Sequence, residues 1–177
     1  MEKKLTLRKT LNLIKGDYSF FFNGKTKLII DFFLNPSLQL SINLRFQKYW
    51  IYGKGKFLGR ILRYYQNIHF SCYIHPKAEI DEKFKVPHPT GIVIGEGTII
   101  GKNVCIYQHV TIGSSGKKNE LREYPHIGDN VTIYAGAKII GGIKIGDNSI
   151  IGANSVVNKD IPANSVAVGI PAKIINK

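Results

Sequence analysis

The sequence is short of cysteine and of long apolar runs. It has only Cys72 and Cys105 in 177 residues. Two cysteines are too few for a disulfide framework, and both lie in apolar surroundings, so we expect buried thiols in a reducing cytoplasm. No apolar run reaches the roughly 18 residues that a membrane-spanning helix requires. The first residues, Met1–Leu5, lack the small-residue cleavage site of a signal peptide. These absences predict a cytoplasmic globular protein.

Acidic residues are also scarce, most of all in the first 70 residues. The chain has 12 aspartates and glutamates against 25 lysines and arginines, for a formal net charge of +13. Residues 1–70 hold 13 of the basic residues and only three acids. Because a basic surface attracts anionic lipids and polysaccharides, we expect peripheral association with the inner face of an anionic membrane. No nucleic-acid-binding motif accompanies this charge, so we expect no nucleic-acid partner.

What the second half has in abundance is a hydrophobic residue at every sixth position. Three uninterrupted runs follow this spacing: Ile74–Ile80–Val86, Ile94–Ile100–Ile106–Ile112 and Ile127–Ile133–Ile139–Ile145–Ile151–Val157. Neither a helix nor a single strand has a period of six. The period is typical of a solenoid in which three six-residue segments make one coil and each aliphatic side chain points to the axis. Gly and Asn recur where such a chain must turn, as at Gly101–Asn103 and Gly128–Asn130, since both tolerate positive φ.

Counting these segments predicts how the coils stack. The first coil has segments at 74, 80 and 86, and the second has segments at 94, 100 and 106. The third has segments at 112, 127 and 133, and the fourth at 139, 145 and 151. The long interval between 112 and 127 predicts an excursion loop at about 114–126. A solenoid core gains nothing from an insertion, so we expect this loop to be functional.

The chain divides into a basic, mainly helical segment at 1–70 and the solenoid domain at 71–177. Apolar residues at helical spacing predict a first helix that ends near Gly16. Ser37 is the predicted N-cap of a second helix, and a third follows a glycine-containing break. Leu28–Leu34 is a further apolar stretch.

One face of the predicted solenoid carries a histidine followed by small residues. The third positions of the segments at 86, 106, 133 and 151 are His88, Gln108, Ala135 and Ala153. A histidine at one end of a groove lined by small side chains suits an enzyme that binds a thin, extended ligand. The flanking prolines leave the alternative that His88 only fills a turn.

These segments resemble the left-handed parallel β-helix of the hexapeptide-repeat acyltransferases. Within that superfamily, residues 74–173 resemble the serine acetyltransferase group. The matching stretches are Ile74–Pro76, Pro87–Glu96, Val110–Gly113 and Gly169–Lys173. The expected fold is therefore mainly β, a left-handed parallel β-helix with a short α-helical N-terminal segment. The resemblance also implies an O-acetyltransferase that uses acetyl-CoA and no metal. It further implies a homotrimer in which acyl-CoA binds between neighbouring subunits.

Carried over by position, the resemblance assigns His88 as the general base that takes the proton from an acceptor hydroxyl. It assigns the pantetheine arm of acetyl-CoA to one set of residues and the adenine and phosphate end to another. The first set is Gly113, Ser114, Ala135, Gly136, Gly152 and Ala153. The second set is Lys159, Pro171, Ala172 and Lys173, in which a lysine ammonium neutralises phosphate charge.

Three positions depart from the serine acetyltransferase pattern. Tyr73 stands where an aspartate orients the catalytic histidine, and Pro87 stands where an aspartate helps hold the serine ammonium. The excursion loop ends in Tyr124–His126 rather than in His-Pro. Since an ammonium requires carboxylates to pair with it, these departures argue against L-serine and favour a neutral or anionic hydroxyl acceptor. The Tyr-Pro ending of the loop, the short N-terminal segment and the strongly basic first half more closely resemble the sugar O-acetyltransferases of capsule and surface-polysaccharide synthesis. The predicted function is therefore a sugar O-acetyltransferase of that kind.

The departures leave the supporting residues of the site open. Glu96 or Tyr73 is expected to orient His88. Tyr124 or His126 is expected either to contact the acceptor or to anchor the loop.

Three other functions stay open. The first is a serine O-acetyltransferase of cysteine biosynthesis. The second is a metal-dependent β-helix hydratase that binds zinc through His88, His109 and His126, although their spacing does not match that branch. The third is a non-catalytic scaffold or membrane-surface protein.

Overall fold

The computed structural model describes residues 5–22, 33–116 and 123–175. Within these ranges the helices are α1 (Leu7–Phe22), α2 (Pro36–Ile51) and α3 (Lys56–Phe70). Short strands follow: β1 (Tyr73–Ile74), β2 (Glu79–Ile80), β3 (Val93–Ile94), β4 (Ile99–Ile100), β5 (Cys105–Ile106), β6 (Thr111–Gly113), β7 (His126–Ile127), β8 (Thr132–Ile133), β9 (Lys138–Ile140), β10 (Lys144–Ile145), β11 (Ile150–Ile151), β12 (Val156–Val157), β13 (Val166–Val168) and β14 (Lys173–Ile175). The helices therefore precede the strands, and the domain boundary after residue 70 stays a prediction.

The strands form the three faces of a prism. Sheet A contains β1, β3, β6, β9 and β12; sheet B contains β2, β4, β7 and β10; sheet C contains β5, β8, β11, β13 and β14. Among the described strands every pair is parallel except β13 with β14. Ile74, Ile94, Ile112 and Ile139 align in successive strands of sheet A. This register confirms the predicted coils. Residues 114–116 and 123–125 of the predicted loop lie between β6 and β7, and 117–122 lie outside the described residues.

The aliphatic column fills the prism. Ile94, Ile106, Ile133 and Ile151 have no exposed surface, and each such side chain contributes about 1.5–3 kcal/mol by burial. Cys72 is buried, and burial raises the pKa of its thiol to about 12. Cys105 is only half-buried, because it faces outward at the start of β5.

The corners of the coils use asparagine and glycine for different reasons. Asn103, Asn130 and Asn148 all have positive φ, and their side chains bond one another in a ladder, with Nδ2–Oδ1 distances of 2.9 and 3.0 Å. Gly101 and Gly128 do not have positive φ. A Cβ there would lie 2.3 or 2.2 Å from an aspartate of the next coil, so these positions require glycine for space.

Two predicted helix ends are wrong. The helix α1 continues through Gly16 to Phe22. Gly16 lies against the solenoid, where a Cβ would be 3.3 Å from Cβ of Glu82. The N-cap of α2 is Asn35, whose Oδ1 accepts from the backbone N–H groups of Ser37 and Leu38 at 3.0 and 3.1 Å. Most of the predicted apolar stretch at 28–34 lies outside the described residues.

The helices cover the open end of the prism. Within the solenoid, carbonyls of inward-facing residues accept from the coil before, as Ile94 O accepts from His75 N at 3.0 Å. The first coil has no such neighbour, and buried carbonyls require donors. Side chains of α2 and α3 supply them: Lys48 to Ala78 O, Arg45 to Ile80 O and Asp81 O, Gln66 to Cys72 O and Ile74 O, and Ser37 to Pro87 O.

A buried ion pair fixes this layer. The Arg45 guanidinium bonds both carboxylate oxygens of Asp17, at 2.9 and 3.0 Å. Asp17 has no exposed surface, and it also accepts from Ser41 Oγ and from the backbone N–H of Phe84. The pair therefore links α1, α2 and the first coil. None of the helices that the described residues form has the length and apolar character to span a bilayer.

We expect Arg45→Met to lower the free energy of unfolding by about 3–5 kcal/mol, because it leaves Asp17 charged, buried and unpaired. Urea unfolding followed by circular dichroism measures this. The matched control is Lys102→Gln, which removes the exposed ion pair with Glu82 and should leave the midpoint unchanged. An Arg45→Met midpoint equal to wild type would show that the pair does not hold the layer in place.

Candidate active site

One corner of the prism gathers the histidine and the small residues. We call it the CA corner, since each coil passes there from sheet C to sheet A. Successive coils are bonded at this corner, from Gly136 N to Gln108 O at 2.9 Å and from Asn154 N to Ala135 O at 2.8 Å. The side chain of His88 is exposed at the first coil, so its ring is open to a ligand.

The loop that carries His88 is held on both sides. Ser37 Oγ of α2 donates to the Pro87 carbonyl at 2.9 Å. At the other side Gly91 has φ of +70°, and a Cβ there would lie 2.2 Å from Nδ1 of His109. Only glycine lets the loop pass beneath the His109 ring. Among the described residues, none forms a hydrogen bond with the His88 ring.

Aromatic rings flank His88 instead. The centroid of the Tyr107 ring lies 6.3 Å from that of His88, and Tyr107 stacks on Tyr134 with centroids 5.2 Å apart. Both tyrosines occupy the second position of their six-residue segments. The predicted alignment of the segments at 106 and 133 already placed the two tyrosines together, but the prediction considered only the third positions.

Gln108 presents an unpaired oxygen at the same corner. Its Oε1 is buried and has no hydrogen-bond partner among the described residues. An unpaired buried acceptor costs about 1–3 kcal/mol, so a ligand with an N–H donor would be stabilised here. Gln108 lies one coil beyond His88, and one coil spans roughly 4.8 Å in a parallel sheet.

Part of the expected acetyl-CoA set lines this corner. Ala135, Gly136, Gly152 and Ala153 continue the row beyond Gln108. A Cβ on Gly136 would lie 2.0 Å from Oδ1 of Asn154, so this position in the row has no room for a side chain. Two further members lie at the end of the same corner. Gly169, just before Pro171, donates to Ser155 Oγ at 3.1 Å, and Ala172 N donates to Val156 O at 2.8 Å. Lys173 is exposed at the start of β14.

A second corner, where coils pass from sheet A to sheet B, carries other expected site residues. Glu96 lies there in an ion pair with Lys77 at 2.6 Å. Tyr124 lies over Gly95 and Gly97, where a Cβ would be 2.6 and 2.5 Å from its ring atoms. The packing of Tyr124 supports the loop-anchor interpretation. The described residues of this AB corner also include Gly113, Ser114 and Lys159.

The remaining expected residues lie on the faces of the prism. Tyr73 begins β1, where its hydroxyl bonds Arg63 and the Arg63 guanidinium lies 5.0 Å from its ring centroid. His126 is exposed on β7. Within one chain, therefore, the residues expected to orient His88 or to contact the acceptor lie outside the CA corner.

The three histidines of the hydratase hypothesis do not all lie at one corner. His88 and His109 share the CA corner, and His126 lies on sheet B. Among the described residues there is no group of three or more His, Cys, Asp or Glu side chains that could hold a metal ion.

The chain is similar to proteins of known family. Residues 124–159 match the family model described as bacterial transferase hexapeptide (six repeats). The serine acetyltransferase of Staphylococcus aureus (strain Mu50) is 46% identical over 126 residues, which is 71% of this chain and 57% of that relative. The chain thus spans little more than half the length of the curated relatives it matches.

Solved structures agree. The crystal structure of Neisseria gonorrhoeae serine acetyltransferase superposes with a TM-score of 0.84 at 30% identity, covering 97% of this chain and 68% of that chain. Serine acetyltransferase from Brucella abortus strain S19, in complex with coenzyme A, gives a TM-score of 0.86 at 29% identity, covering 97% and 69%. The Neisseria enzyme has also been solved in complex with serine.

The fold is thus the left-handed parallel β-helix of the hexapeptide-repeat acyltransferases, as predicted. The chain belongs to the serine acetyltransferase group of that family. The prediction of a sugar acceptor is wrong, because the Staphylococcus, Neisseria and Brucella proteins that the chain resembles are all serine acetyltransferases. The supposed likeness to polysaccharide O-acetyltransferases fails with it. The prediction of a sugar acceptor gave the two substituted positions, Tyr73 and Pro87, more weight than the likeness of residues 74–173 to the serine acetyltransferase group.

We expect Gln108→Leu to raise the melting temperature of the unliganded protein and to reduce the thermal shift produced by coenzyme A or by L-serine. The substitution removes an unpaired buried oxygen of the apoprotein and the acceptor that a ligand N–H would use. Differential scanning calorimetry with each ligand measures both effects.

The matched control is Thr98→Val, since Thr98 Oγ1 is another buried oxygen that has no hydrogen-bond partner in the described part of the chain, and it lies inside the prism. This variant should also raise the melting temperature, and it should leave both ligand shifts intact. A Gln108→Leu protein that is less stable and keeps both shifts would mean that Gln108 serves the fold.

Proposed function

We propose that this chain is a serine O-acetyltransferase that transfers an acetyl group from acetyl-CoA to the hydroxyl of L-serine. The observation that carries the proposal is the exposed His88 at the head of a narrow row of small residues, on a fold shared with serine acetyltransferases over 97% of the chain. The relatives in complex with serine and with coenzyme A support the choice of both substrates.

In the proposed reaction His88 acts as the general base. Its neutral imidazole takes the proton of the serine hydroxyl, and the oxygen attacks the carbonyl carbon of the thioester. The tetrahedral intermediate collapses with cleavage of the carbon–sulfur bond, and the proton passes from the imidazolium to the departing thiolate of coenzyme A. Backbone N–H groups of the corner would stabilise the oxyanion. Glu96 and Tyr73 stay the proposed orienting groups.

The site residues divide between two corners, and this division supports a shared site. Ala135, Gly136, Gly152, Ala153, Pro171, Ala172 and Lys173 would bind acetyl-CoA along the corner that carries His88. Gly113, Ser114, Lys159, Glu96, Tyr124 and His126 belong to the other corner or to sheet B. In a homotrimer of the kind typical of hexapeptide-repeat enzymes, these residues would reach the site from a neighbouring protomer.

The serine ammonium requires an acceptor in place of the carboxylate that is missing at Pro87. Gln108 Oε1 is a buried acceptor, unpaired among the described residues, one coil from His88. We therefore assign Gln108 to the ammonium. A neutral amide binds a cation more weakly than a carboxylate does, so the Michaelis constant for serine should be high.

Peripheral association with anionic membranes stays a proposal of its own and has no part in the chemistry at His88. The proposal includes no nucleic-acid partner and no metal.

We expect His88→Ala to lower kcat/KM for L-serine by about 10²-fold or more, because the general base is lost. Release of the coenzyme A thiol measures turnover, and the thermal shift by coenzyme A should persist. His69→Ala, on the exposed side of α3, is the control and should keep full activity. Retained turnover in His88→Ala would exclude His88 as the base, and absent turnover of wild type with serine would exclude the function.

We expect Pro87→Asp to lower the Michaelis constant for L-serine by roughly tenfold, because a carboxylate next to His88 would pair with the ammonium. Pro87→Asn is the matched neutral control, and both variants keep the carbonyl that bonds Ser37. The assay is steady-state kinetics with serine varied at saturating acetyl-CoA. Equal Michaelis constants for the two variants would place the ammonium away from position 87.

A further inference from the structure

The helix α3 turns its apolar face to solvent. The exposed fractions of Phe57, Tyr64 and Ile68 are 76%, 69% and 66%, and that of Ile61 is 46%. These four residues follow one another at intervals of four, three and four, so they form one stripe along the helix. We call them the α3 stripe. A surface helix in a globular protein normally buries such a stripe against the core.

The inner face of α3, opposite the α3 stripe, explains why the apolar residues are exposed. Gly59 is buried against α2, where a Cβ would lie 2.4 Å from Cγ1 of Ile51. Gln66 has no exposed surface, because its amide bonds Gln47 and reaches the carbonyls of the first coil. Close approach and carbonyl capping thus determine the inner face, and the large apolar side chains are left on the outer one.

The surroundings of the α3 stripe are cationic. Lys54, Lys56 and Arg60 are exposed beside it. The sequence has no acidic residue between Asp31 and Glu79. Two copies of this face would bring like charges together, which disfavours self-association. An anionic surface with an apolar interior meets both features, since it neutralises the lysines and arginines and buries the stripe.

We propose that the α3 stripe and its flanking cations dock the protein on an anionic lipid surface. In this arrangement α3 lies in the plane of the interface. Phe57, Ile61, Tyr64 and Ile68 enter the acyl boundary, and the basic side chains lie among the headgroups. None of the four stripe residues is a proposed site residue, so substitutions in the stripe should leave acetyl transfer in solution intact.

The test is co-sedimentation of the full 177-residue chain with vesicles of phosphatidylcholine, with and without phosphatidylglycerol. Wild type should bind only the anionic vesicles at low salt and dissociate at high salt. Phe57→Ser with Ile68→Ser should lower the partition coefficient by roughly tenfold or more. Lys56→Gln with Arg60→Gln should do the same, since each charge contributes about fivefold.

Two matched controls lie on α1, where Leu7, Arg8, Lys9 and Leu11 are also exposed. Leu7→Ser with Leu11→Ser, and Arg8→Gln with Lys9→Gln, should change the partition coefficient far less than the α3 variants do. Equal losses in the controls would show attraction that is not specific to α3, and unretained wild type would show no docking. Either result overturns the proposal.

Analytical ultracentrifugation of wild type and of Phe57→Ser with Ile68→Ser tests whether a second copy of the chain, rather than lipid, covers the α3 stripe. If that variant breaks an oligomer that wild type forms, and vesicles do not retain wild type, a second copy covers the stripe and the proposal is wrong. Acetyl transfer to L-serine, measured on the same samples, should be equal in all variants. Failure of docking is thereby distinguished from failure of the proposed enzyme activity.

Discussion

A parallel β-helix cannot begin without a row of backbone carbonyls that have no coil before them. In this chain side chains of α2 and α3 take the place of the missing coil, with Arg45, Lys48 and Gln66 as donors. Arginine and lysine suit this position because they donate and never accept. The Arg45 charge is then buried, which the bidentate bond to Asp17 offsets. Part of the basic excess near the N-terminus is therefore structural, and only the remainder is available to a partner.

The helices that cap the first coil also affect the loop of His88 and the outer face of α3. Ser37 belongs to this layer, and its bond to the Pro87 carbonyl fixes the backbone next to His88. Displacement of α2 would therefore move the proposed general base. In α3, the demand for Gln66 and Gly59 at the inner face leaves the apolar stripe outside. The same need to cap backbone carbonyls thus influences both the loop of His88 and the exposed face of α3.

The sequence predicted what depends on the period of six. The stacking of Ile74, Ile94 and Ile112 followed from counting, because a register error would turn every aliphatic side chain outward. The Asp17–Arg45 pair could not be predicted, since it joins residues 28 positions apart through a fold of three helices. Nor could the end of α1, because a glycine costs a helix only about 1 kcal/mol, and Gly16 is accommodated against Glu82.

The error about the acceptor has a physical cause. The absence of aspartate at Tyr73 and Pro87 was treated as the absence of a serine site, on the argument that a buried ammonium requires a carboxylate. A charge pair gains little over its desolvation cost, however, and the ammonium of a bound amino acid at a solvent-exposed corner stays partly hydrated. In the proposed site the buried Oε1 of Gln108 would position the ammonium, at a cost in affinity rather than in chemistry. Under that proposal the acceptor is selected by the fold shared with the serine acetyltransferases, and single carboxylates would tune the strength of binding.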